Sequence, residues 1–550
     1  MKRERVIALM LTASMLLGGC GGAAKDAGAE KAPEEMQASG EDTSTGETEG
    51  EVSGEVESLG GGEPMELECM VDMNKLVEGN PIIQKIEEDL NVKFSFIPAP
   101  TGSAEDVRKA MNLQVASGDF PEFIADVKFP DYYAYAEQGL IAEIPVEWIK
   151  SEAPNLTNWL EKNLYGENSW DYYAIDGKNY VVPSIWTLGP KFNSMVVRQD
   201  ILEAAGVTEM PDTLDEWEAV LLKVKETNGG YPLSAPGGNI KGVYDMFFGA
   251  YGLYAQIFTE KDGKIVYGAV EPEAKQALEV AHRWYEEGLI DPEFVIDDET
   301  KKREKWTAEK MAVTVGAFYH AIPGEAYWGG AYYDPLMEKN PDAKVVTMLP
   351  PAGPDGERGM TQDTSIVNAG VVFAKELENQ PEKLKKYLQV CDYMIKESEI
   401  LQAGEEGVTY KRDASGGLEW IAPYDDADKR KEYGIGASGV IPGFQDYDVE
   451  FSLKPIAYAD IRNEAISNCV GRFDVLGPVP RPVYQEKKET LDRITSKNLI
   501  DFITGDRDLN EFDAFVEEWN AAGGTEVMAE AQTYYEKLGL INVTKGAAAE

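Results

Sequence analysis

The chain has 550 residues, 98 acidic side chains against 52 basic ones, and a net charge of −46. Its length exceeds what one compact core accommodates and points to two lobes or domains. The negative charge repels phosphate backbones and anionic headgroups, which excludes nucleic-acid binding and leaves a solvated acidic surface as the plain reading.

Met1-Lys2-Arg3-Glu4-Arg5 is short and net basic, residues 6–17 are almost wholly apolar, and Leu17-Gly18-Gly19-Cys20 follows. A basic start, an apolar stretch too short to span a bilayer and small residues before a cut make a secretory signal. The Gly-Gly-Cys end resembles a bacterial lipobox. That resemblance implies a signal peptide over residues 1–19, cleavage before Cys20 and a diacylglyceryl thioether on its sulfur. Each buried lipid methylene contributes about 0.8 kcal/mol, so two or three acyl chains hold a protein where one would not. Residues 21–64 contain no aromatic residue and carry 12 acidic residues against Lys25 and Lys31. Such a segment cannot bury enough apolar surface to offset chain entropy, so residues 20–64 are expected to form a disordered acidic tether. No later apolar run approaches membrane-spanning length, and the membrane is expected as a partner through the anchor alone.

Residues 65–71 alternate as a strand does, Asn80-Pro81 precedes a helical run over 82–90, and residues 92–97 alternate again. Strand, helix and strand with a short return predict a βαβ unit and a parallel sheet. A helix over 105–117 ends at Gly118, and a short strand follows over 122–125. Ligands in such sheets bind at the carboxyl ends of the strands, which makes Asp126 and Lys128 site candidates by topology. Asp176-Gly177 is a two-residue hairpin turn before another strand. Thr213 and Glu216 have the spacing of a capping box, and Gly288 that of a helix C-cap. Trp217, Trp284 and Trp519 lie at helical spacing with other apolar residues and are expected in the core. Apart from Cys20 the cysteines are Cys69, Cys391 and Cys469. They are expected as small buried hydrophobes, with no disulfide needed for folding. With only His282 and His320 and no ligand spacing, a common zinc site is not expected.

Several stretches together resemble the extracellular solute-binding lipoproteins of ABC sugar importers, over nearly all of residues 65–540. Ala116-Ser117-Gly118-Asp119-Phe120-Pro121-Glu122 is similar to the family's helix-end and strand-entry motif, with Glu122 in place of the usual Asp. Tyr135-Ala136-Glu137-Gln138-Gly139-Leu140-Ile141-Ala142-Glu143-Ile144 is close to the pattern of maltodextrin-binding proteins. Asp176-Gly177-Lys178-Asn179-Tyr180-Val181-Val182-Pro183 looks like the hairpin and strand that first cross between lobes. Phe502-Ile503-Thr504-Gly505-Asp506 and Phe515-Val516-Glu517-Glu518-Trp519 look like the closing helices. Each piece is common alone; the ordered series behind a lipobox is specific.

The resemblance implies an α/β, two-lobed, periplasmic-binding-protein-like fold with the ligand cleft between lobes joined by hinge strands. Carried over from family topology, one lobe comprises residues 65–184 and 352–410, and the other 185–351 and 411–550. It implies a monomer that captures an oligosaccharide and delivers it to a permease pair, with no cofactor. Some members of the large oligosaccharide-binding branch use calcium; residues 167–179 offer Asp171 and Asp176 without the alternating oxygen ligands of an EF-hand loop, which leaves a structural calcium ion open but unsupported by the sequence.

There is no Gly-x-Ser-x-Gly elbow, zinc-protease motif or phosphate loop. The alternatives to sugar binding are a peptide-binding transport lipoprotein and, further off, a lipid-anchored glycoside hydrolase, which needs only two carboxylates. A sugar offers apolar C–H faces and a rim of hydroxyls, so its pocket needs flat rings and short polar groups. Val315-Gly316-Ala317-Phe318-Tyr319-His320 reads as a strand end opening into a loop. Phe318 and Tyr319 match the family position whose aromatic residues stack on sugar, with His320 a weaker candidate. Tyr327, Trp328, Tyr332 and Tyr333 surround glycines and are expected as an accessible surface, with Tyr327 and Trp328 as ligand contacts. Trp186 follows the crossing strand and would face the cleft, or pack at the hinge. Trp420 lies in a Gly-rich loop as a ligand platform or a gap filler. Asp126 and Lys128 would bond hydroxyls, or else form a surface ion pair of little consequence.

Overall fold

The alternation of residues 65–71 and 92–97 becomes a parallel pair in the computed structural model. That structure describes residues 62–538 apart from 74–75, 102–103, 118–119, 165, 167–168, 186, 238–241, 243, 328, 363–366, 415, 437–443, 445–446 and 478. Cys20 and residues 21–61 of the expected tether lie outside the described residues. The strands in chain order are β1 (Met65–Val71), β2 (Val92–Pro98), β3 (Phe123–Lys128), β4 (Val182–Ile185), β5 (Asn193–Arg198), β6 (Phe258–Lys261) and β7 (Lys264–Tyr267). They continue with β8 (Val313–Ala317), β9 (Val345–Met348), β10 (Met360–Thr361), β11 (Val367–Phe373), β12 (Tyr410–Arg412), β13 (Leu418–Trp420) and β14 (Gly471–Arg472).

β1 and β2 run parallel, Met65 opposite Val92, joined by helix Pro81–Leu90, which buries Ile82, Ile83 and Ile86. Asn80 accepts the Ile83 amide at 2.9 Å and so caps that helix, while Pro81 gives up only an N–H that would be unpaired anyway. The parallel arrangement expected for this region stops there. β11 lies between β3 and β4 and is antiparallel to both, as it returns from the β8-β5-β9 sheet against their direction. Glu122 joins the two pieces. Its carboxylate accepts from the Glu68 amide at 3.4 Å, Lys383 at 2.6 Å and the Tyr387 hydroxyl at 2.7 Å. Helix Pro381–Lys396 covers this half, and its Asp392 caps helix Pro154–Asn163 by accepting from the Leu156 amide at 3.0 Å.

In the second sheet the fully buried β5 lies between β8 and β9, antiparallel to both. Helices Leu214–Asn228 and Ala274–Glu286 bury residues in the same hydrophobic core, the first opened by the Thr213–Glu216 capping box. Trp217, Trp284 and Trp519 are in the core, as their spacing indicates. The chain passes between the sheets from β4 to β5 and from β9 through β10 to β11. It passes again from helix Ser398–Ala403, through the β12–β13 hairpin, to helix Ala459–Ser467, whose Ala465 carbonyl accepts from Thr347 of β9 at 3.4 Å. Cys69, Cys391 and Cys469 are buried free thiols, and burial pushes the Cys469 thiol up to about 12. Among the described residues no helix is long and apolar enough to cross a membrane.

A buried arginine anchors an ion pair at the far end of β5. The Arg198 side chain is 1% exposed and donates to Asp200 at 2.9 and 2.7 Å and to Glu309 at 3.0 Å. Burial raises the Asp200 carboxyl, but the Arg198 bonds outweigh it and hold the group below its usual 3.8. A carboxylate with a depressed folded value stabilises above its unfolded value and loses that contribution as pH falls through the folded one. Asp200→Asn should therefore lower the urea midpoint at pH 7, and the gap to the parent should be smaller at a pH below 3.8. An equal gap at both pH values would show that the charge is not what stabilises the pairing.

Candidate functional site

β8 ends at Ala317, opposite Asn193 of β5, and the chain turns at once into a 3-10 segment, Phe318–Ala321. The Phe318 amide donates to the Phe192 carbonyl at 2.8 Å, which ties this turn to the start of β5. The consequence is an aromatic cluster that unites three of the expected site residues. Phe318 and Tyr327 stack with centroids 5.4 Å apart, and Tyr319 lies 5.5 Å from each. Phe192 packs edge-on to Tyr319 at 5.6 Å, and Phe451 edge-on to Tyr327 at 5.6 Å.

Burial separates the roles of these rings. Phe318 is 0% and Tyr327 4% exposed, so both serve as backing, whereas Tyr319 is half-buried and keeps surface on offer. The expectation that residues 327–333 form an accessible surface fails for Tyr327 and Tyr332, both buried. The cause is a fold-back: Asp334 accepts the Gly324 amide at 3.2 Å, and Gly324 and Gly330 approach so closely that side chains there would clash with it. The turn closes and buries the Tyr327 and Tyr332 rings. Trp328 and Trp186 lie outside the described residues.

A polar group supports the cluster. His320 stacks on Tyr332 with centroids 3.9 Å apart, Lys302 sits 5.4 Å over the same ring, and the Tyr332 hydroxyl donates to Glu299. Lys302 donates to the Val315 carbonyl at 3.1 Å and pairs with Glu299 at 2.9 Å. Burial pulls the Lys302 ammonium below its usual range; burial, then the Lys302 charge, holds His320 well below 6.5. His320 is thus a neutral, buried prop for Tyr332 rather than a solvent-facing ligand group.

Asp126 and Lys128 belong to the first sheet. The β3–β11 register slips between Ile124 and Val127, and Asp126 takes φ 56°, the mark of a bulge. Its side chain is 75% exposed and pairs at 2.6 Å with Lys128, 52% exposed, a solvated pair at the carboxyl end of the strand. Trp420 sits elsewhere again, on β13 opposite Tyr410, packed against the small core of Ala403, Tyr410 and Leu453, with the Arg430 guanidinium 4.7 Å over its ring. The structure therefore groups Phe318, Tyr319 and Tyr327, and leaves Asp126, Lys128 and Trp420 apart from them. Sequence reasoning missed Phe192 and Phe451. For Phe192 there was a signal, its place directly before the strand entering the second lobe; for Phe451 there was none.

The model of the family described as bacterial extracellular solute-binding protein matches residues 73–391. Lipoprotein LipO of Bacillus subtilis (strain 168) is 25% identical over 476 residues, 83% of this chain and 89% of that protein. The polygalacturonan/rhamnogalacturonan-binding protein YtcQ of the same organism is 22% identical over 479 residues, 83% of this chain and 88% of that one. An HMO-binding, ABC-transporter-associated solute-binding protein from Bifidobacterium longum infantis superposes with a TM-score of 0.65 at 15% identity, covering 86% of this chain and 99% of the other. The fold is the two-lobed α/β fold of periplasmic binding proteins. With more than half its length matched, the chain belongs to the bacterial extracellular solute-binding proteins, a family of binders and not of enzymes.

Proposed function

We propose that this protein captures an oligosaccharide outside the cell and delivers it, as a monomer, to an ABC permease pair. The observation that carries the sugar reading is the half-buried Tyr319 ring, backed by Phe192, Phe318 and Tyr327 at the end of β8. A ring held from behind offers its face without further ordering cost, which suits the apolar face of a pyranose. The polysaccharide ligands named for YtcQ support the same class. Closure of the lobes requires ligand to touch both, since only differential affinity shifts the equilibrium. Asp126 and Lys128 on the first sheet supply hydroxyl partners in this scheme, with Trp186, Trp328 and Trp420 as further contacts, and the lobes divide near residues 184, 351 and 410.

A thermal-shift screen of neutral oligosaccharides, uronic-acid oligomers and peptides tests the class. Stabilisation by a saccharide is expected. Stabilisation by peptides alone would replace it with peptide transport, and turnover of a stabilising glycan would make the protein a hydrolase.

The location follows from the amino terminus: cleavage of a signal peptide before Cys20, lipid on its sulfur, and the body on the outer face of the membrane at the end of an acidic tether. Cys20→Ala should release the protein into the medium or leave it unprocessed. A variant that stays in the membrane fraction after salt washing, processed as the parent is, would remove Cys20 as the anchor.

A further inference from the structure

We infer that Gln362 is a positioning residue for ligand binding, clamping two of the passages between the sheets and through them setting the Tyr319 ring; its effect on affinity rests on the oligosaccharide reading above. Gln362 is 0% exposed. Its Oε1 accepts from the Phe192 and Asn193 amides, both at 2.7 Å. Its Nε2 donates to the carbonyls of Asn193 at 3.2 Å, Met360 at 3.3 Å and Val470 at 3.2 Å. Its own amide donates to the Arg472 carbonyl at 2.7 Å. Asn193 closes the ring of bonds by donating from Nδ2 to the Thr361 carbonyl at 2.8 Å. Thr361 is fixed in turn by the buried Asp245, which accepts its amide at 2.7 Å and its hydroxyl at 2.8 Å.

One side chain thus gathers the chain entering β5 after the first passage, the chain leaving β10 for the next passage, and the β14 segment. From Gln362 the path to the site is short. The Phe192 amide is held by Gln362, the Phe192 carbonyl accepts from Phe318, and the Phe192 ring packs on Tyr319. A buried network of this kind holds one geometry only while every member is satisfied. The site needs an acceptor and a two-proton donor on one planar group at this reach. Glutamate lacks the donors and would bury a charge, and methionine has similar bulk but leaves the Phe192 and Asn193 amides unpaired. With the clamp undone, the two passages would move independently and Tyr319 would lose its fixed relation to the hinge.

The test compares the parent with Gln362→Met and with Val197→Ala, a stability control at a fully buried position of β5. In the ligand-free proteins, amide exchange over 192–193 and 318–322 should quicken about tenfold together in Gln362→Met and not in Val197→Ala. With a saccharide that stabilises the parent, Gln362→Met should bind at least tenfold more weakly, at a temperature where its circular dichroism is that of the folded parent. The ligand-induced fall in radius of gyration seen for the parent by small-angle scattering should also shrink. Unchanged exchange over 318–322 overturns the inference whether or not a ligand is in hand, as does parent-like affinity in Gln362→Met or an equal affinity loss in Val197→Ala. If no saccharide binds the parent, the ligand class fails and the exchange arm still decides the role of Gln362.

Discussion

Tyr319→Ala is expected to weaken saccharide binding at least tenfold and to move the melting temperature little, whereas Phe318→Ala should unsettle the fold itself. The two residues are neighbours in sequence and have rings 5.5 Å apart, yet their burial differs. Tyr319 keeps exposed surface, so truncation removes a stacking face worth about 1.5–3 kcal/mol, the magnitude of burying a comparable apolar group. Tenfold in affinity corresponds to about 1.4 kcal/mol, just under the lower end of that range, so a loss of tenfold or more is expected. Phe318 is fully buried against Tyr327, and truncating such a ring leaves a cavity that costs about 3–5 kcal/mol. Calorimetry and urea denaturation on both variants separate the effects. If Tyr319→Ala binds as the parent does, Tyr319 is not a ligand contact. If Phe318→Ala unfolds at the parent's midpoint, the cluster is not the support described.

What could be read from the sequence was what neighbours in sequence decide. Asn80-Pro81 before residues 82–90, and Thr213 three residues before Glu216, carry their caps in their own side chains, and both appear as expected. Asp126 was placed at a strand's carboxyl end, but its bulge was not visible, since it arises from pairing with β11, far along the chain. The burial of Tyr327 and Tyr332 is hidden from the sequence for a similar reason. Whether these two rings face in or out depends on the contact of Asp334 with Gly324 and on Phe451 from another segment. Trp420 reads as a platform or a gap filler in its Gly-rich surroundings, and only the fold brings Arg430 across its ring. Gln362 carries no motif at all. A buried amide bonded to segments around residues 192, 360 and 470 is produced by tertiary structure alone.

Gly249→Ala should destabilise the protein by about 3 kcal/mol, the upper end of the usual cost of overpacking. Local preference argues the other way. Gly249 ends the helix Asp245–Gly249 without a positive φ, and alanine is the better helix former by about 1 kcal/mol. Sterics decide, because an added Cβ would lie 1.8 Å from the Gly359 carbonyl oxygen and 2.5 Å from its carbon. Both are backbone atoms, so no side chain can swing aside. Nor can the Gly359 backbone retreat freely: a Cβ there would meet the Tyr254 hydroxyl at 2.4 Å, and one on neighbouring Gly471 would lie 1.7 Å from the Met360 carbonyl oxygen. Three segments touch backbone to backbone one residue before β10, beside Thr361 and Gln362. The strain would thus enter the bonds that fasten the passage from β9 to β11, and affinity for ligand should fall along with stability. Urea denaturation of the variant measures the first effect. A midpoint equal to or above the parent's would mean that the helix preference prevails and that these backbones can part without cost.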